Sequence, residues 1–384
     1  MLNTSAAPLL APWRYIRDDQ LTYQQRRRCL NGLTSPWTVS SEGPAAGSRM
    51  HVAFFDGTRD APNLDAMRRA AAAFDPQQVK LYAIVRVPNS SYLPNFHFVK
   101  LGWLLDHKLH GPDNHWTHDK KATFKKVQCI YNALLRVISS APGKQYVAKV
   151  LLPWVFPLHV RRLLVLDSDI IIVRNLRPLW DAFGRFGRAV VGLVDEQSDY
   201  FSSRNGYEGF NGGVQLLNLE AMRMSVEYSE LLDRIGHGMY GSKVGYHGDQ
   251  SVYTHMRGLA PHLFHTLGCE WNRQIGSWLL GTPDIFAGFA DQTVHMCEQR
   301  CGIMHFNHRQ LKCVVPLMQR AALSCATWAD FRRRQILDVN ATCPRGYMSP
   351  PYRWRFSRVM ATYFYDCCRQ ETRPSFFQGG YLMS

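Results

Sequence analysis

The segment Leu163-Leu-Val-Leu-Asp167-Ser-Asp169-Ile-Ile-Ile-Val173 decides how this chain folds. Its four leading aliphatic residues read as a strongly buried strand. Asp167 and Asp169 follow at the strand end, two positions apart. In open α/β sheets, ligands gather beyond the carboxyl ends of the strands. Two acids there, in otherwise apolar surroundings, repel each other and lose hydration. A divalent cation relieves both problems, and Mg²⁺ or Mn²⁺ held by oxygen ligands can in turn bridge a diphosphate. The plainer alternative is that the two carboxylates only cap the turn that follows.

Outward from this segment the pattern is that of a strand–helix repeat. His51 to Phe55 is a short apolar run that ends in Asp56-Gly57, a buried strand and its turn. Asn63 to Phe74 has helical spacing, with Asn63 as a plausible cap. Val79 to Val87 is a second apolar run, ended by Pro88. Lys125 to Ser140 carries a helical stripe of Val127, Ile130, Tyr131, Leu134, Leu135 and Ile138. Tyr146 to Phe156 reads as a second helix, and apolar runs recur at 189–194 and 213–219. The expectation is an α/β fold, a single domain over 49–315 with a mostly parallel, Rossmann-like sheet flanked by helices. Residues 1–48 read as an irregular segment, and 316–384 as an Arg-, Cys- and aromatic-rich extension.

The formal net charge is +15 over 384 residues. A basic surface attracts phosphates, acidic glycans or nucleic acid, but no zinc-finger spacing or RNA-recognition signature is present, which argues against nucleic acid. No stretch has the ~18 uninterrupted apolar residues of a membrane span. Met1 to Trp13 lacks a basic flank and is short for a signal peptide, so no membrane anchor is visible. Eight of the ten cysteines lie beyond position 260. None forms C-x-x-C, and no zinc-ligand set can be assembled. Their dispersal fits disulfides in an oxidising lumen, with ordinary buried thiols as the alternative. Asn3, Asn89 and Asn340 begin N-x-S/T sequons, which points in the same direction.

A D-x-D after a strand also occurs in haloacid dehalogenase-type phosphatases, where the first Asp is a nucleophile. That class needs a later acidic pair after a glycine. The candidate here, Gly248-Asp249-Gln250, has no second acid within reach.

From Tyr146 onward several segments act together: YVAKVLLP (146–153), Asp167-Ser168-Asp169 with NLRPLW (175–180), FNGGVQLLNL (210–219), Gly248-Asp249-Gln250, CEWN (269–272) and MHFN (304–307). In order and spacing this set resembles glycosyltransferase family 8, which retains anomeric configuration; within the family, NLEAMR (218–223), YSELL (228–232), LFHTLGC (263–269) and WNRQ (271–274) resemble the α-1,3-xylosyltransferase branch. The resemblance implies a GT-A fold with its metal site at the D-x-D strand end. It implies Mn²⁺ (or Mg²⁺) as cofactor, a UDP-sugar donor, and a glycan or glycoprotein as acceptor; the cysteines and sequons place this in the secretory-pathway lumen, ER or Golgi.

Residue by residue, it implies metal ligation by Asp167, Asp169 and His305. Lys149, Ser168, Gly212, Asn307 and Lys312 would contact the donor. Asp249, Gln250 and Asn211 would act on the transferred sugar, and Trp271 and Asn272 would touch the acceptor. Each has a structural alternative: a core His305, a solvent-facing Lys149, a Gly212-Gly213 turn, Asp249 as a helix N-cap and a core Trp271. Cys269 and Cys297 are expected to pair. The family's H-x-x-G-x-x-K motif is altered here, with His308 for the Gly and Leu311 for the Lys, which leaves Lys312 as a substitute. UDP-glucose or UDP-galactose is the alternative donor, and a catalytically inactive glycan-binding homologue the alternative role.

Overall fold

A computed structural model describes residues 49–56, 67–68, 71, 74–86, 95–101, 104, 118–138, 141–198, 208–240, 245, 247–275, 297, 299 and 301–307. The expected segments 1–48 and 316–384, the three sequons, most of the Asn63 helix, His308, Leu311 and Lys312 lie outside the described residues.

Strand β1 (Met50–Asp56) lies between β2 (Val79–Val85) and β4 (Leu163–Asp167), parallel to both; β3 (Phe96–Lys100) extends the sheet parallel to β2. Beyond β4 come β7 (Phe210–Leu217), β6 (Val191–Asp195) and β8 (Phe264–Leu267), giving the order β3-β2-β1-β4-β7-β6-β8. Among the described strands of this sheet, β7 alone runs against its neighbours. Its direction matters for function. The parallel strands β1, β4 and β6 end on one edge, at Asp56, Asp167 and Asp195, and the reversed β7 begins on that same edge with Phe210, Asn211, Gly212 and Gly213.

The sheet separates two apolar layers. Period-two side-chain alternation sends Ala53 and Phe55 of β1 to one side and Val52 and Phe54 to the other; β4 divides Leu163 and Val165 from Leu164 and Leu166 in the same way. The first layer is covered by α1 (His118–Val137), whose apolar stripe packs with the Ala141–Leu151 3-10 helix, the short α2 (Leu152–Val155) and α5 (Val226–Gly236). A Cβ on Gly236 would lie 2.9 Å from that of Ala133, so the helices approach at a glycine. The second layer includes Leu179 and Trp180 of α3 (Arg177–Asp181).

The expected continuous helix at 146–156 is instead a 3-10 stretch that turns α-helical only at Leu152, with Pro153 in its first turn. Proline fits the first turn of a helix but not its interior, which places the α start there. Helix α4 (Leu219–Met224) starts on Asn218, which accepts from Ala221 N, and α5 on Ser225, which accepts from Tyr228 N. Buried Arg223 donates to the carbonyls of Pro153, Phe156, Pro157 and Val160, satisfying the chain as it leaves α2.

A second, three-stranded sheet has the order β5 (Ile170–Ile172), β10 (Ile303–His305), β9 (Arg273–Gln274). It draws the far end of the described chain onto the D-x-D turn.

Candidate active site

Asp167 is the last residue of β4, and Ser168 and Asp169 form the turn into β5. Antiparallel pairing sets His305 opposite Ile170, and Phe306 N donates to Asp169 O at 2.9 Å. That register brings the His305 ring over the acid pair. Its Nε2 lies 3.3 Å from Asp169 Oδ1 and 3.8 Å from Asp167 Oδ2.

One ligand atom from each residue falls within 4.8 Å of the others. Adjacent ligands of an octahedral ion with ~2.1 Å bonds lie about 3 Å apart, so the three atoms can share one cation with small adjustments. Two carboxylate oxygens and an imidazole nitrogen suit a hard or borderline divalent ion and leave room for further oxygen ligands. The residues therefore fit a metal.

The electrostatics agree. Lys149, at the end of the 3-10 helix, is 1% exposed; its Nζ donates to Asp167 Oδ1 at 2.6 Å and to Gly212 O at 2.8 Å. Asp249 Oδ2 is 3.6 Å from the same ammonium. The rings of Phe55 and Tyr146 each lie 5.2 Å from Lys149 Nζ. Burial disfavours the Lys149 charge, but Asp167 and Asp249 outweigh it and raise its pKa. Burial pushes Asp249 up to about 6; Lys149 opposes the shift and Asp167 adds to it. Three carboxylates, Asp167, Asp169 and Asp249, thus surround one lysine, and a divalent cation would complete the balance.

Asp249 was a candidate N-cap, but Gly248 caps α6 (Asp249–Leu259) and Asp249 is its first residue. Its side chain is spent elsewhere: Oδ2 accepts from Gln215 Nε2 at 2.5 Å. The Gly212-Gly213 turn is also not observed, because both residues lie inside β7. What they supply is space. A Cβ on Gly212 would sit 2.6 Å from Asp249 Oδ2, and one on Gly213 would sit 2.1 Å from His305 Cε1.

Beneath the glycines runs a buried amide network. Glu196, just past β6, accepts through one oxygen from Asn211 Nδ2 at 3.0 Å and Gln250 Nε2 at 2.7 Å. Its other oxygen accepts from Ser198 N and Oγ. Asn211 Oδ1 accepts from Gly213 N at 3.0 Å and from Asn272 Nδ2 at 2.9 Å. Asn272 Oδ1 in turn meets His305 Nδ1 at 3.0 Å.

The structure therefore brings together Asp167, Asp169, His305, Lys149, Asn211, Gly212, Asp249 and Gln250. Ser168 Oγ donates to Asp56 Oδ2 at 3.4 Å, and Asn307 follows the Phe306 contact to Asp169. Lys149 does not face solvent and is bound to Asp167. Asn272, expected at the acceptor, is fully buried and commits both ends of its amide to Asn211 and His305. Trp271 is buried too, with Arg174 5.6 Å above its ring and Gly302 against its edge. Sequence reasoning passed over Glu196 and Gln215. The signals were present: a second acid after Asp195 at the end of the apolar run at 191–194, and one amide inside the otherwise apolar 214–217.

Cys269 and Cys297 are disulfide-bonded, with their Cα atoms 5.7 Å apart, as the resemblance implied. Among the described residues no helix is long and apolar enough to cross a membrane.

No protein-family profile matches the chain. Over 219 residues it is 31% identical to xyloside xylosyltransferase 1 of Mus musculus, a match covering 50% of this chain and 55% of the mouse protein. Over 167 residues it is 31% identical to the xylosyl- and glucuronyltransferase LARGE2 of Rattus norvegicus, covering 38% and 23%. The chain thus spans about half or less of the length of these curated relatives. The crystal structure of apo mouse xyloside xylosyltransferase 1 superposes with a TM-score of 0.51 at 25% identity, over 68% of this chain and 98% of that one. In sequence and in fold, then, the chain is similar to xyloside xylosyltransferase and has the GT-A architecture of the glycosyltransferases.

Proposed function

We propose that the chain is a retaining glycosyltransferase that moves a sugar, xylose by preference, from UDP to a hydroxyl of a glycan or glycoprotein. The observation that carries this reading is the convergence of Asp167, Asp169 and His305 at the β4 edge, beside Asp249 and Gln250 at the start of α6. The xylosyltransferase activity in the names of the similar proteins supports the choice of xylose.

Held by Asp167, Asp169 and His305, Mn²⁺ would supply positive charge to the leaving diphosphate. The chain's own groups do the rest. Lys149 holds Asp167 and Asp249 in place. Gly212 lets the backbone come close to the donor sugar, with Asn211 beside it. Asp249 and Gln250 hydrogen-bond the transferred sugar and favour positive charge developing at its anomeric carbon. The acceptor oxygen attacks that carbon from the leaving-group side, the bond to phosphate breaks, and the acceptor proton passes to a phosphate oxygen of UDP. The Cys269–Cys297 disulfide supports a secretory-pathway setting.

The test is UDP release from UDP-xylose, UDP-glucose and UDP-galactose, with Mn²⁺ or with EDTA, beside Asp169→Asn. The reading expects Mn²⁺-dependent release that favours UDP-xylose and falls at least ~100-fold in the variant. Preference for a hexose donor would correct the sugar. Donor binding without release would mark a glycan-binding homologue instead.

A further inference from the structure

We propose that Glu196 is a positioning residue whose carboxylate, through Asn211 and Asn272, fixes the ring proton of His305 on Nδ1 and turns the Nε2 lone pair toward the two aspartates. The inference rests on the metal-site reading of Asp167, Asp169 and His305, and adds what sets the histidine's tautomer.

The argument is one of donor and acceptor inventory. An ionised carboxylate only accepts, so the Asn211 atom 3.0 Å from Glu196 is its NH₂ group. The backbone N–H of Gly213 only donates, and it points at the other end of the same amide, which is therefore the oxygen. That oxygen also faces Asn272, whose nearer atom must be NH₂. The far end of Asn272 is then a carbonyl oxygen, and the His305 nitrogen 3.0 Å away must carry a hydrogen. With Nδ1 protonated, the neutral ring has its lone pair on Nε2, the atom that lies beside Asp169 and Asp167.

Each amide in the chain has one orientation because its predecessor has one. Asn211 and Asn272 are buried, at 3% and 0% exposure, so water does not readily replace either bond. The same Glu196 oxygen holds Gln250 Nε2, so Gln250 Oε1 is left facing Gly212 N and the sugar side of the site. Metal-ligating histidines commonly depend on such outer partners, and losing one typically weakens metal binding ~10–100-fold.

The test reads the tautomer directly, by long-range ¹H–¹⁵N correlation of imidazole-labelled protein without metal, with the His305 signals assigned by their absence in His305→Gln. Mn²⁺ affinity is measured in parallel by electron paramagnetic resonance. In the wild type the His305 signals should show the Nδ1–H form. Glu196→Ala should mix the tautomers and lower Mn²⁺ affinity about 10-fold. Glu196→Gln can present one carbonyl oxygen to both Asn211 and Gln250; its NH₂ loses the bond from Ser198 N but can still donate to Ser198 Oγ, so it should keep the tautomer and bind Mn²⁺ more tightly than Glu196→Ala. An Nε2–H form in the wild type overturns the proposal even if Glu196→Ala does not fold. So does a folded Glu196→Ala whose tautomer and affinity are unchanged while only its stability drops. Absence of Mn²⁺ binding by the wild type would count against the metal reading alone, and the tautomer signals would still decide the role of Glu196.

Discussion

The Cα of Gly213 lies so close to His305 that a Cβ on it would stand 2.1 Å from the ring. No positive φ is involved, so a side chain is barred at this position by the imidazole rather than by backbone strain. Gly213→Ala should therefore displace His305 rather than unfold β7. The expected results are a stability loss of about 1–3 kcal/mol in denaturant titration and Mn²⁺ affinity reduced by at least ~10-fold. Unchanged affinity would mean that His305 is not a ligand.

Lys149 is the only lysine or arginine ion-paired with Asp167 and Asp249 among the described residues. Lys149→Met removes it and leaves buried Asp249 and half-buried Asp167 without their counterion. Breaking a buried pair in this way costs about 3–5 kcal/mol. Because Mn²⁺ would supply positive charge to the same cluster, part of the lost stability should return when it is added. Thermal unfolding with and without Mn²⁺ checks both halves, and equal shifts in the two conditions would contradict the charge-balance argument.

Burial lowers the pKa of His255 from 6.5 to about 4. His51 is lowered to about 4 by burial and by Lys80, His159 and His97. Between pH 6.5 and 4 the unfolded chain takes up protons at these sites and the folded chain does not. Stability should accordingly fall as pH drops through that window, by an amount on the order of 3 kcal/mol for a site as buried as His255. His255→Gln should flatten the slope in urea titrations run across the window. An unaltered slope would assign the acid sensitivity to other groups.

The Cys269–Cys297 bond closes a loop with a sequence separation of 28 next to Trp271 and Asn272. Chain-entropy reasoning gives about 3.6 kcal/mol for a loop of this size. Cys269→Ser with Cys297→Ser should lose about that much stability. If the loop also steadies Asn272, Mn²⁺ affinity should fall with it, whereas a loss confined to stability would make the disulfide purely structural.

The sequence made some of this architecture legible and hid the rest for identifiable reasons. The strand ending at Asp167 was visible because an aliphatic run followed by two acids has few other uses. The stripe of α1 was visible because 3.6-residue periodicity survives without tertiary knowledge. The reversal of β7 was not, since an apolar strand reads the same in either direction. Lys149 could be placed on a helix but not turned inward, because its counterions come from β4 and α6. His305 entered only through resemblance, as no local pattern links it to Asp169. Glu196 was not legible because it directly follows Asp195, and no local pattern tells which of two adjacent acids turns into the site.

The short pairing of β10 with β5 has a further meaning for how the protein is made. Asp167 and Asp169 leave the ribosome long before Ile303–His305 can dock on Ile170–Ile172. Such non-local closures form late, after the local elements they join. During synthesis the acid pair must therefore wait, with Lys149 as its counterion, until β10 arrives. A chain truncated before Ile303 would keep all seven strands of the large sheet and still be without the imidazole. The timing of assembly thus separates a folded scaffold from a competent one.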